Sequence, residues 1–276
     1  MTTALPVIDK NVSITGLNLH YRDWPNEGAP TLVLLHGFTG HAASWDTFGA
    51  AMNDRYRVIA LDQRGHGDSE WASDYAPERR VEDLEQFVAT LGLGRFTLLG
   101  LSMGGICAYG YAAKHPETLE KLVIVDIAPT LERTGMSRIS TGVQAKDVFD
   151  TQDEAVAQAR LGNPLAPDDA LRYRAVHNLK QRDDGKWTFK YDVALRDGSA
   201  VRGAPGDAEA IWASLANITC PTLLVRGAES DLLGMAAAER MVATIPNCKL
   251  VQVAKSGHSV PLDNPAGFLE AVRSWL

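Results

Sequence analysis

Cysteine is scarce in this chain of 276 residues, and long apolar or basic runs are missing. The three cysteines, Cys107, Cys220 and Cys248, are odd in number and widely spaced, which argues against a disulfide framework or a CxxC metal site. No stretch approaches the about 18 apolar residues of a membrane span. No Lys/Arg cluster offers the basic surface that nucleic-acid binding requires. We therefore expect neither a membrane nor a nucleic acid among the partners.

The remaining composition is typical of a globular protein. The chain has 27 Lys+Arg and 34 Asp+Glu, a net charge of −7, and 45% hydrophobic residues. At this length we expect one large domain, or one domain with an insertion. Residues 1–10 lack the basic and apolar segments of a signal peptide, so the expected location is the cytoplasm.

Short runs of branched apolar residues recur along the chain and predict strands buried on both faces. Segments with helical spacing lie between them, most clearly at residues 81–91. This alternation predicts an α/β fold with a mostly parallel sheet covered by helices. Residues 12–24 predict an antiparallel hairpin at the sheet edge. The predicted parallel strands lie at residues 31–35, 57–61, 97–101, 121–125, 222–225 and 250–253.

The alternation of predicted strands and helices stops after Thr130 and resumes at Thr222. Residues 130–217 are therefore interpreted as an inserted helical cap, and residues 1–129 and 218–276 as the core. Within the cap, Thr151 and Glu154 have the spacing of a capping box, which predicts the start of a helix.

The sequence Gly-Leu-Ser-Met-Gly-Gly at residues 100–105 follows a predicted buried strand and precedes a predicted helix. A serine in this setting is typical of a nucleophile elbow, where a strained turn exposes the hydroxyl. Ser102 is therefore a candidate nucleophile. A serine needs a base to accept its proton, and His258 lies between the last predicted strand and the last predicted helix, where it returns to the same edge of the sheet.

Two aspartates compete for the position that orients the histidine. Asp231 follows the strand at 222–225, and Asp126 follows the strand at 121–125. Both give the order Ser, Asp, His, and both emerge at the carboxyl ends of strands. We favour Asp231 and keep Asp126 as the alternative acid.

Acyl transfer also needs donors for the developing oxyanion, and backbone NH groups supply them best. One candidate is the NH of Met103, directly after the predicted nucleophile. The other is the NH of Phe38, in a loop with glycines on both sides. The loop at residues 62–69 is interpreted as structural, with Asp62 and Arg64 pairing with each other.

Together these motifs resemble the α/β-hydrolase fold superfamily. The resemblance implies an eight-stranded, mostly parallel sheet with a helical cap after the sixth strand, and it implies that Ser102 is the nucleophile and His258 the base. Most members carry the acid at the position of Asp231. The motifs are HGF (36–38), DQRGHGDS (62–69), GLSMGG (100–105), RGAESD (226–231) and GH (257–258).

A subset of the superfamily with a VDIAP-like segment uses the position that matches Asp126. It includes small esterases and the hydrolase of acetamidomethylene succinate, to which the cap of this chain is similar in part. Enol-lactonases, carboxylesterases and haloperoxidases share elbows of the GLSMGG type. The resemblance therefore implies a serine esterase or an enol-lactonase-like enzyme.

These residues predict a serine hydrolase that cleaves a small ester, lactone or amide through an acyl-enzyme. Alternatives are a small-molecule receptor on the same fold, or a non-hydrolytic relative such as a perhydrolase, a haloperoxidase or a cofactor-free oxygenase. We expect a small-molecule substrate, no cofactor and no metal, because no His/Asp cluster has ligand spacing. Basic residues of the cap could meet a substrate carboxylate, although such sets more often form a solvated face. They are Arg133, Arg138, Arg172, Arg174, His177, Lys180 and Arg196.

Overall fold

The computed structural model describes residues 7–143, 146–196 and 207–276. Strands and helices alternate along most of this part of the chain. The strands are β1 (Ile8–Ile14), β2 (Leu17–Trp24), β3 (Thr31–Leu35), β4 (Arg57–Leu61), β5 (Phe96–Leu101), β6 (Leu119–Val125), β7 (Val148–Phe149), β8 (Leu179–Gln181), β9 (Trp187–Phe189), β10 (Thr222–Gly227) and β11 (Cys248–Val253). The helices are α1 (Asp46–Met52), α2 (Pro77–Thr90), α3 (Met103–Lys114), α4 (Arg133–Val143), α5 (Gln152–Gly162), α6 (Asp168–His177), α7 (Ala208–Ser214), α8 (Met235–Thr244), α9 (Val260–Asp263) and α10 (Pro265–Trp275).

Eight of these strands form one sheet in the order β1-β2-β4-β3-β5-β6-β10-β11. The pairs β1/β2 and β2/β4 are antiparallel, and all other pairs are parallel. The predicted α/β fold and the predicted edge hairpin are therefore confirmed. Because the parallel strands are neighbours, their carboxyl ends meet along one edge, where open α/β sheets bind ligands.

Successive residues of the central strands face opposite sides of the sheet, and each side carries its own apolar core. In β3, Val33 and Leu35 lie in the cluster covered by α2, α3 and α8, while Leu32 and Leu34 lie in the cluster covered by α1 and α10. All four side chains are fully buried. Burial on both faces explains why these strands are continuous apolar runs instead of alternating ones.

The segment between β6 and β10 contributes α4, α5, α6 and the small sheet β7-β9-β8. The predicted cap boundary at residue 217 places helix α7 in the cap. In the structure, Trp212 and Leu215 belong to the apolar cluster of the main sheet, because the end of α7 packs against the sheet side covered by α3. The division of the chain into core and cap otherwise stays a prediction. Within the described residues, no helix is long and apolar enough to span a membrane.

The turn between β5 and α3 packs against the end of β3 at glycine positions. A Cβ atom on Gly104 would lie 2.4 Å from the carbonyl oxygen of Leu35, and one on Gly100 would lie 2.2 Å from the carbonyl oxygen of Gly104. Real Cβ atoms do not approach backbone this closely, so the first turn of α3 lies against the sheet only because these side chains are absent.

We expect Gly104→Ala to lower the free energy of unfolding by about 2–4 kcal/mol, because the added methyl group has to push backbone aside. Urea unfolding followed by circular dichroism measures this difference. Gly94→Ala is the matched control, since a Cβ there meets nothing within 4 Å. Equal losses in the two variants would contradict the packing argument.

Candidate active site

Ser102 lies in a strained turn at the carboxyl end of β5. Its backbone dihedrals are φ 52° and ψ −116°, a region that costs a non-glycine residue about 1–3 kcal/mol. The surrounding structure holds this conformation. The NH of Ser102 donates to the carbonyl of Val125, and its carbonyl accepts from the NH of Ile106. The result is a hydroxyl that stands at the N-terminus of α3.

The imidazole of His258 reaches this hydroxyl from the loop after β11. Its Nε2 lies 2.9 Å from Oγ of Ser102, and its Nδ1 lies 2.9 Å from Oδ2 of Asp126. A carboxylate can only accept, so Nδ1 carries the proton and the neutral ring presents an unprotonated Nε2 to Ser102. The three side chains thus form one continuous hydrogen-bonded chain across β5, β6 and β11.

Asp126 follows β6 directly and is fully buried. Three donors converge on its carboxylate: the NH of Gly227 at 3.0 Å, the hydroxyl of Ser230 at 2.6 Å, and the ring of His258. A buried carboxylate requires such partners, since its charge has lost contact with water. The hydroxyl of Ser230 itself accepts from the NH groups of Leu232 and Leu233, which directs its hydrogen toward Asp126.

The preference for Asp231 as the partner of His258 is corrected by this geometry. Asp231 lies four residues beyond the end of β10, and its two oxygens accept from Nε and Nη2 of Arg138 at 2.7 and 2.8 Å. This bidentate bond holds the pKa of Asp231 below its usual range. Asp231 therefore connects the core to α4, and Asp126 is the carboxylate that contacts the histidine.

The loop after β3 brings the backbone of Phe38 beside this site. His36 and Gln63 shape the loop: Nδ1 of His36 donates to the carbonyl of Gly37 at 2.8 Å, and its Nε2 accepts from the NH of Gln63 at 3.0 Å. Burial lowers the pKa of His36, so the neutral ring can donate and accept at once.

The two NH groups expected to bind an oxyanion have no backbone acceptor within the described residues. As the first residue of α3, Met103 has an NH without an acceptor inside its helix. The NH of Phe38 makes no backbone hydrogen bond within the described residues. Phe38 borders the cavity next to Ser102, and Met103 follows Ser102 directly in the chain.

Sequence reasoning did not single out Ser230 or Gln63, which are hydrogen-bonded to Asp126 and His36 at the candidate site. Gln63 donates from its side chain to the carbonyl of His36 at 2.7 Å, and Ser230 bonds Asp126. Both lie inside the motifs at residues 62–69 and 226–231. The two motifs can be recognised in the sequence. Their hydrogen-bond partners, His36 and Asp126, follow other strands, so nothing in the local sequence indicates these bonds.

A cavity of about 480 Å³ opens in front of Ser102 and His258, a size typical of small-molecule sites. Its walls come from the loop after β3 and from α4, α5 and α6. Most of the lining is apolar, with a few polar groups. The lining residues include Phe38, Leu101, Arg138, Ile139, Leu161, Asn163, Leu171, Arg174, Asn178, Phe189, Tyr191 and Ser259.

The cap is fastened to the core beside this cavity. The ring of His41 donates from Nε2 to the carbonyl of Arg174 at 2.9 Å, and the side chain of Asn178 donates to the carbonyl of Thr39 at 2.9 Å. Burial lowers the pKa of His41 to about 3, so the ring is neutral over the physiological range. These bonds place the cavity face of α6 directly over the loop after β3.

Comparison with known proteins places this chain in a family. Residues 30–265 match the sequence family described as the alpha/beta hydrolase fold. The chain belongs to the α/β-hydrolase family. It is 31% identical over 270 residues to the 3-hydroxybutyrate-oligomer hydrolase of Cupriavidus necator, covering 92% of both chains. It is 30% identical over 263 residues to an esterase of Mycobacterium tuberculosis, covering 90% of this chain and 83% of that one.

Solved α/β-hydrolase structures agree with the sequence match. The crystal structure of E-2-(acetamidomethylene)succinate hydrolase superposes with a TM-score of 0.87 at 26% identity, covering 98% of both chains. The resemblance to the α/β-hydrolase superfamily is therefore confirmed. The chain is a hydrolase enzyme of the esterase-like type.

One group of possible metal ligands occurs in the described part of this α/β hydrolase. Ligand atoms of His20, Asp62 and Asp68 lie within 4.8 Å of one another. Oδ2 of Asp62 already accepts from Nδ1 of His20 at 2.7 Å and from the NH of Asp68 at 3.0 Å. Burial opposes ionisation of Asp62, yet the hydrogen bonds from His20 and from the NH of Asp68 help lower its pKa to about 2. The cluster is interpreted as a brace for the loop after β4.

The expected pair of Asp62 and Arg64 does not form. Arg64 instead donates from Nε and Nη2 to the two oxygens of Asp83 at 2.6 and 2.7 Å. Asp83 lies on α2, so the arginine ties the loop to a helix while Asp62 ties it to β2. Each buried charge thus has its own partner, as burial requires.

The Arg138 bond predicts a pH-dependent contribution of Asp231 to stability. Because the pKa of Asp231 is lowered in the folded state, its contribution is complete above about pH 5 and disappears as the pH falls below about 4. Both side chains are about one-third exposed, so Asp231→Asn should cost about 1 kcal/mol or less at pH 7. Unfolding of wild type and variant from pH 3 to 7 tests this; a difference that grows toward pH 3 would contradict it.

Proposed function

We propose that this protein is a serine hydrolase that cleaves a small ester, lactone or amide through an acyl-enzyme. The observation that carries the proposal is the continuous chain of hydrogen bonds from Ser102 through His258 to Asp126. Nucleophile, base and orienting acid in this geometry are typical of acyl transfer. The esterases and hydrolases to which the chain is similar support the same reaction class.

In the first half-reaction, Oγ of Ser102 attacks the substrate carbonyl while Nε2 of His258 accepts its proton. The imidazolium then donates that proton to the leaving oxygen or nitrogen, and the tetrahedral intermediate collapses to the acyl-enzyme. Asp126 fixes the tautomer of the ring and stabilises its positive charge. In the second half-reaction, His258 activates a water molecule, and the acid leaves with Ser102 restored.

The negative charge of each tetrahedral intermediate requires donors that are already oriented. We assign this role to the NH groups of Phe38, which borders the cavity at Ser102, and of Met103, which follows Ser102 in the chain. The N-terminus of α3 adds a positive end of the helix dipole at the same place. The bonds around His36 keep the NH of Phe38 oriented, so little reorganisation is needed during the reaction.

The proposed partner is a small-molecule substrate, with no nucleic acid, membrane or cofactor. The cavity of about 480 Å³ and its mostly apolar lining support a small substrate. All three cysteines are free thiols, which is typical of a reducing compartment and supports a cytoplasmic location.

We expect Ser102→Ala to lower kcat for 4-nitrophenyl acetate and butyrate by about 10⁴-fold or more, because the attacking oxygen is lost. Nitrophenol release measures the rate, and the melting temperature shows whether the fold is retained. Modification of wild type by an organophosphonate should add one adduct, found on Ser102 by mass spectrometry. Equal turnover by wild type and Ser102→Ala would overturn the proposal.

The two aspartates give opposite expectations in the same assay. Asp126→Asn should lower kcat by about 10³- to 10⁴-fold, since an amide favours the wrong tautomer of His258. Asp231→Asn is the matched control, because it removes the same charge from the next strand end without touching the ring; it should stay within about tenfold. A collapse of activity in Asp231→Asn alone would restore the original preference for Asp231.

A further inference from the structure

The basic residues of the cap differ sharply in where the structure places them. Arg172 is exposed and pairs with Asp153, and Lys180 stacks over the ring of Trp71. Arg138 borders the cavity, but Asp231 neutralises it. Arg174 borders the same cavity and has no ion pair within the described residues. Arg174 therefore differs from these other basic residues: it borders the cavity and has no charged partner within the described residues.

The register of α6 explains the position of Arg174. Leu171, Arg174, Ala175 and Asn178 all line the cavity, and their spacing of i, i+3, i+4 and i+7 is one face of a helix. Arg172 falls on a different face, where it meets solvent. The carbonyl of Arg174 and the side chain of Asn178 are both bonded to the core, so this face is held toward the cavity.

The guanidinium of Arg174 is shielded from bulk water but open to the cavity. Its only hydrogen bond within the described residues is a long one, 3.4 Å from Nη1 to Oδ1 of Asn163. Burial lowers its pKa, although an arginine keeps its charge at neutral pH. A buried cation normally has a charged partner, whereas within the described residues Arg174 has this single bond to a neutral amide oxygen.

We propose that Arg174 binds a carboxylate carried by the substrate, which makes the favoured substrate an ester or amide with a free, ionised carboxyl group on one side of the scissile bond. This inference rests on the proposed hydrolase function. A single guanidinium matches one carboxylate by a bidentate bond. A dianionic phosphate fits less well, because Arg138 is already neutralised and the nearby carboxyl of Asp263 adds negative charge to the surroundings of Arg174.

The carboxylate could lie on the acyl side or on the leaving-group side of the scissile bond. Two pairs of substrates distinguish these two positions. For the acyl side, 4-nitrophenyl hydrogen adipate is compared with the primary amide of the same ester. For the leaving-group side, 3-carboxyphenyl butyrate is compared with 3-carbamoylphenyl butyrate. Each pair differs only in an ionised carboxylate against a neutral group of the same shape.

The measured quantity is the ratio of kcat/KM for the acid to kcat/KM for the amide. Wild type should favour the acid at least tenfold in one of the two pairs. Arg174→Met, which keeps an unbranched apolar stem but removes the guanidinium, should lower this ratio about 10- to 100-fold, as expected when a charge-assisted bond is removed. Arg174→Lys should recover part of the ratio. Arg172→Met, on another face of the same helix, should leave both rates unchanged.

A ratio near one in wild type for both pairs would overturn the inference, and so would an unchanged ratio in Arg174→Met. In either case, nitrophenol release from the neutral ester that depends on Ser102 would leave the proposed function intact. Equal rates in wild type and Ser102→Ala would instead overturn the proposed function. Calorimetry supplies a readout without turnover: adipate should bind the Ser102→Ala protein more tightly than adipamide, and Arg174→Met in that background should abolish the difference.

Discussion

The approach of α3 to the carboxyl ends of β3 and β5 is the constraint on which the site depends. Gly100 and Gly104 allow backbone to meet backbone where any side chain would collide. This contact fixes the first turn of α3 against the end of β3. It forces Ser102 into a left-handed conformation and brings the NH of Met103 close to the loop that carries Phe38. The proposed nucleophile and the proposed oxyanion donors are thus positioned by one packing requirement.

Asp126 and Asp231 have the same type of side chain, but they differ in burial and therefore in the interactions they make. Asp126 has lost all contact with water and is held by a backbone NH, a hydroxyl and an imidazole. In a surrounding of low dielectric constant its charge acts strongly on His258. Asp231 lies at a partly exposed turn and meets a guanidinium from the cap. Its interaction is screened by water, which suits a fastening between cap and core.

The helical register of α6 determines which of its charged side chains face the cavity. In α6, neighbouring arginines at positions 172 and 174 have different environments because successive residues turn by about 100° around the axis. One meets solvent and a surface carboxylate, and the other meets an enclosed cavity. An ionic bond formed in such a cavity is stronger than one formed in water. Position on the helix, and not charge alone, therefore decides which cation can recognise a ligand.

The sequence by itself determined the strands, the parallel sheet, the elbow at Ser102 and the loop that carries His258, because these depend on local apolar runs and on the chain order of strand ends. It also limited the acid to Asp126 or Asp231, since both follow strands. Only the tertiary structure shows that Asp126, and not Asp231, is hydrogen-bonded to His258. The bond of Asp231 to Arg138 and the bond of Ser230 to Asp126 join residues that are 93 and 104 positions apart in the chain, so spacing could not reveal them.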